Sequence, residues 1–106
     1  MRLYHNPKCS KSRQAKNLLS ERGVDFEDYR YLDNGVHPDD VELLSTIDGI
    51  IRTTDLNSET ILDFEDTKAI ANLISSNPKL LQRPVLICEG VAVIGRPPEN
   101  ILILLP

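Results

Sequence analysis

Two apolar runs near the C-terminus, Pro84–Cys88 and Val91–Ile94, are separated by only Glu89 and Gly90, and that spacing constrains the fold more than any other stretch. A two-residue connection containing glycine between such runs predicts an antiparallel β-hairpin. It also sets a register in which cross-strand partners have position numbers summing to 179, so Cys88 faces Val91 and Ile87 faces Ala92. Continued outward, the same register sets Arg83 opposite Arg96. Each arginine precedes a proline, which biases it toward an extended backbone.

Like charges directly opposite one another destabilise a sheet unless an anion lies between them. Two planar guanidinium forks converging on one point would clamp a tetrahedral oxyanion. The other reading is a pair of solvated strand ends, and spacing alone leaves both open.

The remaining pattern surrounds the hairpin with helices. Arg2–Tyr4 reads as a short strand, and His5-Asn6-Pro7-Lys8 breaks it. A helix is predicted from Ser10, capped by Ser10 or Ser12, with Ala15, Leu18 and Leu19 on one face and Gly23 ending it. Val24–Tyr31 alternates as a strand, and Leu32–Gly35 reads as a turn. Pro38 opens a second helix that Gly49 closes, with Asp39, Asp40 and Glu42 near its positive end. Ile50–Asn57 is irregular, Ser58–Phe64 is one or two helical turns, and Asp66–Ser76 is a helix. A last helix starts near Pro97-Pro98-Glu99. This order gives an α/β fold, a small mixed sheet covered by helices. At 106 residues, a single domain over 1–106 is expected.

Cys9 follows the first strand and stands at the start of the first helix, where unpaired N–H groups and the helix dipole favour a thiolate or an oxyanion. A free thiol is only about 3% ionised at pH 7, and a depression of about two units corresponds to about 2.7 kcal/mol. A helix terminus supplies about 0.3–2 kcal/mol, so nearby cations are needed as well. His5, Lys8, Lys11 and Arg13 are all within four positions. The alternative, a buried structural cysteine beside solvated charges, fits so polar a neighbourhood less well. Ser12 completes C-x-x-S, a redox spacing with its second thiol replaced; its hydroxyl can serve the sulfur or cap the helix. Cys88 lies five residues from Arg83, on the order of 16 Å along a strand, too far to resolve Cys9 if the arginines mark the site. It reads as packing, and the reductant must come from another molecule. His5, His37 and the two cysteines lack zinc spacing, so no metal is expected.

The loop His5-Asn6-Pro7-Lys8-Cys9-Ser10-Lys11-Ser12-Arg13, with Leu81-Gln82-Arg83-Pro84-Val85 and Gly95-Arg96-Pro97, resembles the three signatures of the glutaredoxin-coupled arsenate reductases, in order and over nearly the whole chain. The resemblance implies a thioredoxin-like fold with a helical insertion and a cis peptide before Pro84. It implies that Cys9 attacks arsenate, that His5 helps depress the Cys9 pKa, and that Arg83, Arg96 and a third arginine, Arg52, bind the anion. Glutathione is then the co-substrate, glutaredoxin recycles the enzyme, and no cofactor is bound. Two other readings share the fold: a glutathione-dependent reductase of another substrate, and a regulator resembling the Spx-type proteins, which bind RNA polymerase. Those regulators commonly carry C-x-x-C, whereas Ser12 cannot form a disulfide.

A net charge of −4 argues against a nucleic-acid surface. No apolar run approaches the roughly 20 residues of a membrane span, and MRLYHNPKC lacks the apolar segment of a signal peptide. A cytoplasmic monomer is expected.

Overall fold

The computed structural model describes residues 1–56, 63 and 65–106. They form two compact units, 1–31 with 83–106, and 32–82.

In the first unit, β1 (Arg2–Tyr4), α1 (Ser10–Glu21) and β2 (Glu27–Tyr29) form a β-α-β element, joined in space by β3 (Val85–Cys88) and β4 (Val91–Ile94). The sheet order is β2-β1-β3-β4. The β1–β2 pairing is parallel and the other two are antiparallel, so the sheet is mixed, in the thioredoxin-like manner. A parallel pair needs a crossover, and α1 provides it.

Leu3 of β1 pairs with Leu86 of β3, so the two side chains leave the same face of the sheet. There they meet Ala15 and Leu19 of α1 and Ile101 of a 3₁₀ segment, Pro98–Leu104, to form the core. On the opposite face Tyr4 packs against Tyr29 and Tyr31, with ring centroids 5.0 and 5.9 Å away.

Helix α1 ends as its sequence demands. Gly23 adopts φ 66°, its N–H bonds Ser20 O, and the Val24 N–H reaches back to Leu19 O. This is a Schellman closure at a position that glycine occupies without strain. The hairpin turn has φ 49° at Glu89 and 79° at Gly90, the pair of positive angles that matches the twist of flanking strands.

In the second unit, α2 (Tyr31–Asn34) enters from the first. A 3₁₀ turn, Pro38–Asp40, leads into α3 (Val41–Ser45), which packs on α4 (Thr67–Ser76). His37 Nδ1 accepts from the Asp39 N–H and Asp66 Oδ1 accepts from the Ala69 N–H, so the 3₁₀ turn and α4 each start with a side-chain cap. Leu44, Ile70 and Ile74 are buried, and an isolated bridge joins Ile51 to Leu81.

Several boundaries differ from the sequence expectation. The strand predicted over Val24–Tyr31 is only Glu27–Tyr29, because its partner β1 is three residues long before the chain turns at His5. Val24 and Phe26 pack on the core from outside the ladder. The turn expected at Leu32–Gly35 is instead the helical α2, followed by Gly35 at φ 75°. The second helix begins with a 3₁₀ turn at Pro38 and stops at Ser45, and the C-terminal helix is 3₁₀ throughout. The α1 cap is Cys9 itself, with no side-chain capping bond, and neither Ser10 nor Ser12 fills that place. The helical turns expected over Ser58–Phe64 lie, but for Asp63, outside the described residues.

Candidate active site

The Cys9 loop is built by backbone bonds that converge on Asn6. After Tyr4 the ladder ends with the His5 N–H donating to Tyr29 O, 2.9 Å. Asn6 O then accepts from the Cys9 N–H at 3.0 Å, and Asn6 Oδ1 accepts from the Lys8 N–H at 3.0 Å. The Asn6 N–H donates to Ser12 Oγ at 3.3 Å, which fixes the loop to the first turn of α1. Asn6 and Ser12 are both buried. Residue spacing alone does not mark Asn6; its signal in the sequence is an Asn before Pro in a breaker loop, a residue whose side chain caps backbone two positions on.

Cys9 is extended, at φ −99° and ψ 123°, and its carbonyl accepts the first intrahelical bond from the Arg13 N–H. Burial raises its pKa and is the largest single influence. The Ser12 backbone N–H, a hydrogen bond from Arg83, the Lys11 backbone N–H and the Arg83 charge together outweigh it, so the thiol is held below its ordinary value. The strongest help thus comes from helix-start N–H groups and an arginine distant in sequence. Lys11 contributes through its backbone, and Arg13 spends Nη1 on the Pro7 carbonyl at 2.8 Å.

The hairpin register carries two arginines to the same sulfur. The ladder pairs Val85 with Ile94, and the Gly95 N–H to Pro84 O bond, 2.8 Å, extends it by one position. Arg83 and Arg96 come next. Arg96 Nε donates to Arg83 O at 2.8 Å, and Arg96 Nη2 lies 3.8 Å from Cys9 Sγ. Asn100 Nδ2 donates to Arg96 O at 3.0 Å. The Arg83–Pro84 peptide is cis, as the family resemblance implies, and Arg96–Pro97 is cis as well. A Cβ on Gly95 would stand 2.8 Å from Pro84 Cγ, so only glycine lets the two Arg-Pro segments approach this closely.

His5 is 3% exposed, and its Nδ1 has no hydrogen-bond partner among the described residues. Burial lowers its pKa most, Asp28 opposes this, and Arg30 and Lys16 lower it further. Burial thus disfavours a positive charge on the ring beside the Cys9 loop.

Arg52 belongs to the second unit, where its N–H bonds Leu80 O, Nε donates to Asp55 at 2.9 Å and Nη1 to Gln82 at 3.2 Å. Cys88 is half-buried at the turn end of the hairpin, the opposite end from Arg83. Among the described residues no cluster of three or more His, Cys, Asp or Glu could hold a metal ion, and no helix is long and apolar enough to cross a membrane.

The arrangement offers a depressed-pKa thiol at a helix start, with two guanidinium groups beside it. That is the chemistry of nucleophilic attack on an oxyanion. Comparison with known proteins agrees in fold and family. A family model described as the ArsC family matches residues 4–104. The arsenate reductase of Neisseria meningitidis is 41% identical, the match covering 95% of this chain and 94% of that protein. The solved structure of an arsenate reductase from Vibrio cholerae superposes with a TM-score of 0.78 at 30% identity, covering 99% of this chain and 98% of that one. The global transcriptional regulator Spx 1 of Oceanobacillus iheyensis is similar at 27% identity over 98% of this chain and 86% of its own length. With the family model spanning nearly every residue from Tyr4 through the arginine hairpin to Leu104, the chain belongs to the ArsC family.

Proposed function

We propose that this protein is a thiol-dependent arsenate reductase in which Cys9 is the nucleophile and Arg83 and Arg96 bind the substrate. The observation that carries the reading is the meeting of both arginines with the Cys9 sulfur at the start of α1. Arsenate carries close to two negative charges at neutral pH, so an approaching thiolate needs those cations to offset repulsion and to stabilise charge building on the oxygens.

In the proposed reaction the Cys9 thiolate attacks arsenic, an As–S bond forms, and one arsenate oxygen leaves as water after protonation. The glutathione thiolate then attacks Cys9 sulfur. The S–As bond breaks with its electron pair left on arsenic, which falls from As(V) to As(III) and departs as arsenite. Two thiols have each given one electron and are joined as a mixed disulfide. Glutaredoxin takes the glutathione from Cys9 and restores the thiolate. Ser12 fixes the loop and presents its N–H to the sulfur, while His5 is buried at the start of the loop with its pKa held below the ordinary value. Arg52 is carried from the family resemblance as a third anion-binding residue. The enzyme works in the cytoplasm as a monomer, without a bound cofactor.

The test is arsenite production from arsenate with glutathione, glutaredoxin and NADPH recycling, against Cys9→Ser. No arsenite above that control would sink the reading. Arg83→Lys, Arg96→Lys and Arg52→Lys should each lower kcat/KM on the order of tenfold, since lysine keeps the charge and loses the fork. Unchanged kinetics for the first two would refute the clamp. The similarity to Spx 1 supports a second reading, a regulator. Polymerase capture without arsenate turnover would decide for it.

A further inference from the structure

The sheet order sets β2 and β3 on opposite sides of β1. Arg83 and Arg96 reach Cys9 from the β3–β4 side. On the β2 side a cleft of about 370 Å³ is lined by His5, Pro7, Arg13, Lys16, Asn17 and Arg30. We propose that this cleft is a carboxylate-binding subsite for the small peptide thiol that resolves the Cys9 adduct, a proposal that rests on the function above.

Charge points to an anion. Arg13, Lys16 and Arg30 bring three positive charges; Lys16 Nζ at 3.0 Å and Arg30 Nε and Nη2 at 3.0 Å each share the Asp28 carboxylate. Arg13 is bonded to no carboxylate among the described residues, so its positive charge remains in the cleft. Arg13 is exposed, and its bond to the Pro7 carbonyl uses one of five donors without neutralising it. His5 lines the cleft as well, beside Pro7 of the nucleophile loop. Neither the cation set nor the His5 ring is used in binding arsenate beside Arg83 and Arg96.

Reach points to a thiol bearing a carboxylate. Pro7 stands two residues before Cys9, and the Arg13 N–H bonds the Cys9 carbonyl, so the cleft adjoins the nucleophile loop. Four residues of helix separate Cys9 from Arg13, about 6 Å along the axis. A residue following cysteine in a peptide sets its carboxylate within about 7 Å of chain. A cysteinyl peptide with a free C-terminus, such as glutathione, spans that interval; an uncharged small thiol does not use the cations. The cleft's size lies at the lower end for small-ligand sites.

S-methylglutathione, which cannot react, tests the subsite without arsenate. Added to the ¹⁵N-labelled protein, it should shift the amide signals of Arg13, Lys16, Asn17 and Arg30. Arg13→Gln should weaken this binding about tenfold, roughly 1.4 kcal/mol, with far-UV circular dichroism unchanged because Arg13 is exposed. The dimethyl ester of S-methylglutathione should shift none of these signals. Shifts confined to other residues, or affinity unchanged in Arg13→Gln, would overturn the subsite. So would inorganic phosphate shifting the same signals while S-methylglutathione does not, which would make the cleft an oxyanion site. Binding here without arsenate turnover would overturn the reductase reading and leave the carboxylate site standing; turnover with a silent cleft would do the reverse.

Discussion

Arg83 acts on Cys9 twice, through a hydrogen bond and through its charge, and both favour the thiolate. A thiol whose pKa is lowered ionises earlier as pH rises, so alkylation by iodoacetamide should climb through an inflection below the ordinary thiol value of about 8.5 and level off above it. Arg83→Gln removes both contributions, which moves the inflection to higher pH. A hydrogen bond to a charged group is worth about 1.5–3 kcal/mol, so alkylation at pH 7 should slow roughly tenfold. An unmoved inflection would show that the helix start alone sets the thiol. Asp28 gives a second test, in stability. Its bonds from Arg30, against some burial, and from Lys16 hold its pKa at about 2, below the ordinary carboxylate value. A depressed carboxylate stabilises the fold above its unfolded pKa and loses that stabilisation as pH falls toward the folded value. Asp28→Asn should therefore cost about 1–2 kcal/mol near neutrality and far less near pH 2. Urea titrations at the two pH values measure the difference.

At the scale of the element, the hairpin is where sequence and structure agree most closely, and the reason is local. Glu89-Gly90 fixes the turn, the turn fixes the register, and the register carries Arg83 and Arg96 to adjacent positions without help from the rest of the chain. Helix types were less legible. A 3₁₀ turn and a short α-helix differ in which carbonyl each N–H reaches, and the apolar spacing of Pro98–Leu104 serves either. The extent of β2 was unreadable because it is set by the length of β1, a partner distant in sequence. Gly95 shows how tightly the hairpin base is packed: a Cβ there would press on Pro84 Cγ at 2.8 Å and Ile101 Cγ2 at 3.1 Å. Gly95→Ala should destabilise the fold by about 1–3 kcal/mol, the usual range for overpacking. It should also slow Cys9 alkylation at pH 7, because Pro84 follows Arg83 directly. A stable variant with an unaltered thiol would show that the prolines yield without moving the arginines.

Across the whole chain, the parts of the site written in one stretch were legible, and those assembled from several stretches were not. Cys9 and Ser12 share a helix start, and Arg83 with Arg96 follow from one hairpin. By contrast, the Lys16–Asp28–Arg30 cluster depends on α1 lying beside β2, and nothing in the spacing of those residues announces it. The same geometry bears on how the enzyme turns over. Cys88 pairs with Val91 at one end of the hairpin, while Arg83 approaches Cys9 from the other, a separation on the order of 16 Å along the strand. Disulfides require Cα atoms within about 7 Å, so Cys88 cannot resolve Cys9 without the sheet coming apart. With arsenate and glutathione but no glutaredoxin, intact-mass spectrometry should therefore show the protein plus one glutathione, carried on Cys9. Cys88→Ser should give the same species at the same rate and retain full turnover once glutaredoxin is added. A Cys9–Cys88 disulfide in the wild type, or turnover lost in Cys88→Ser, would instead require an intramolecular dithiol cycle and a large opening of the first unit.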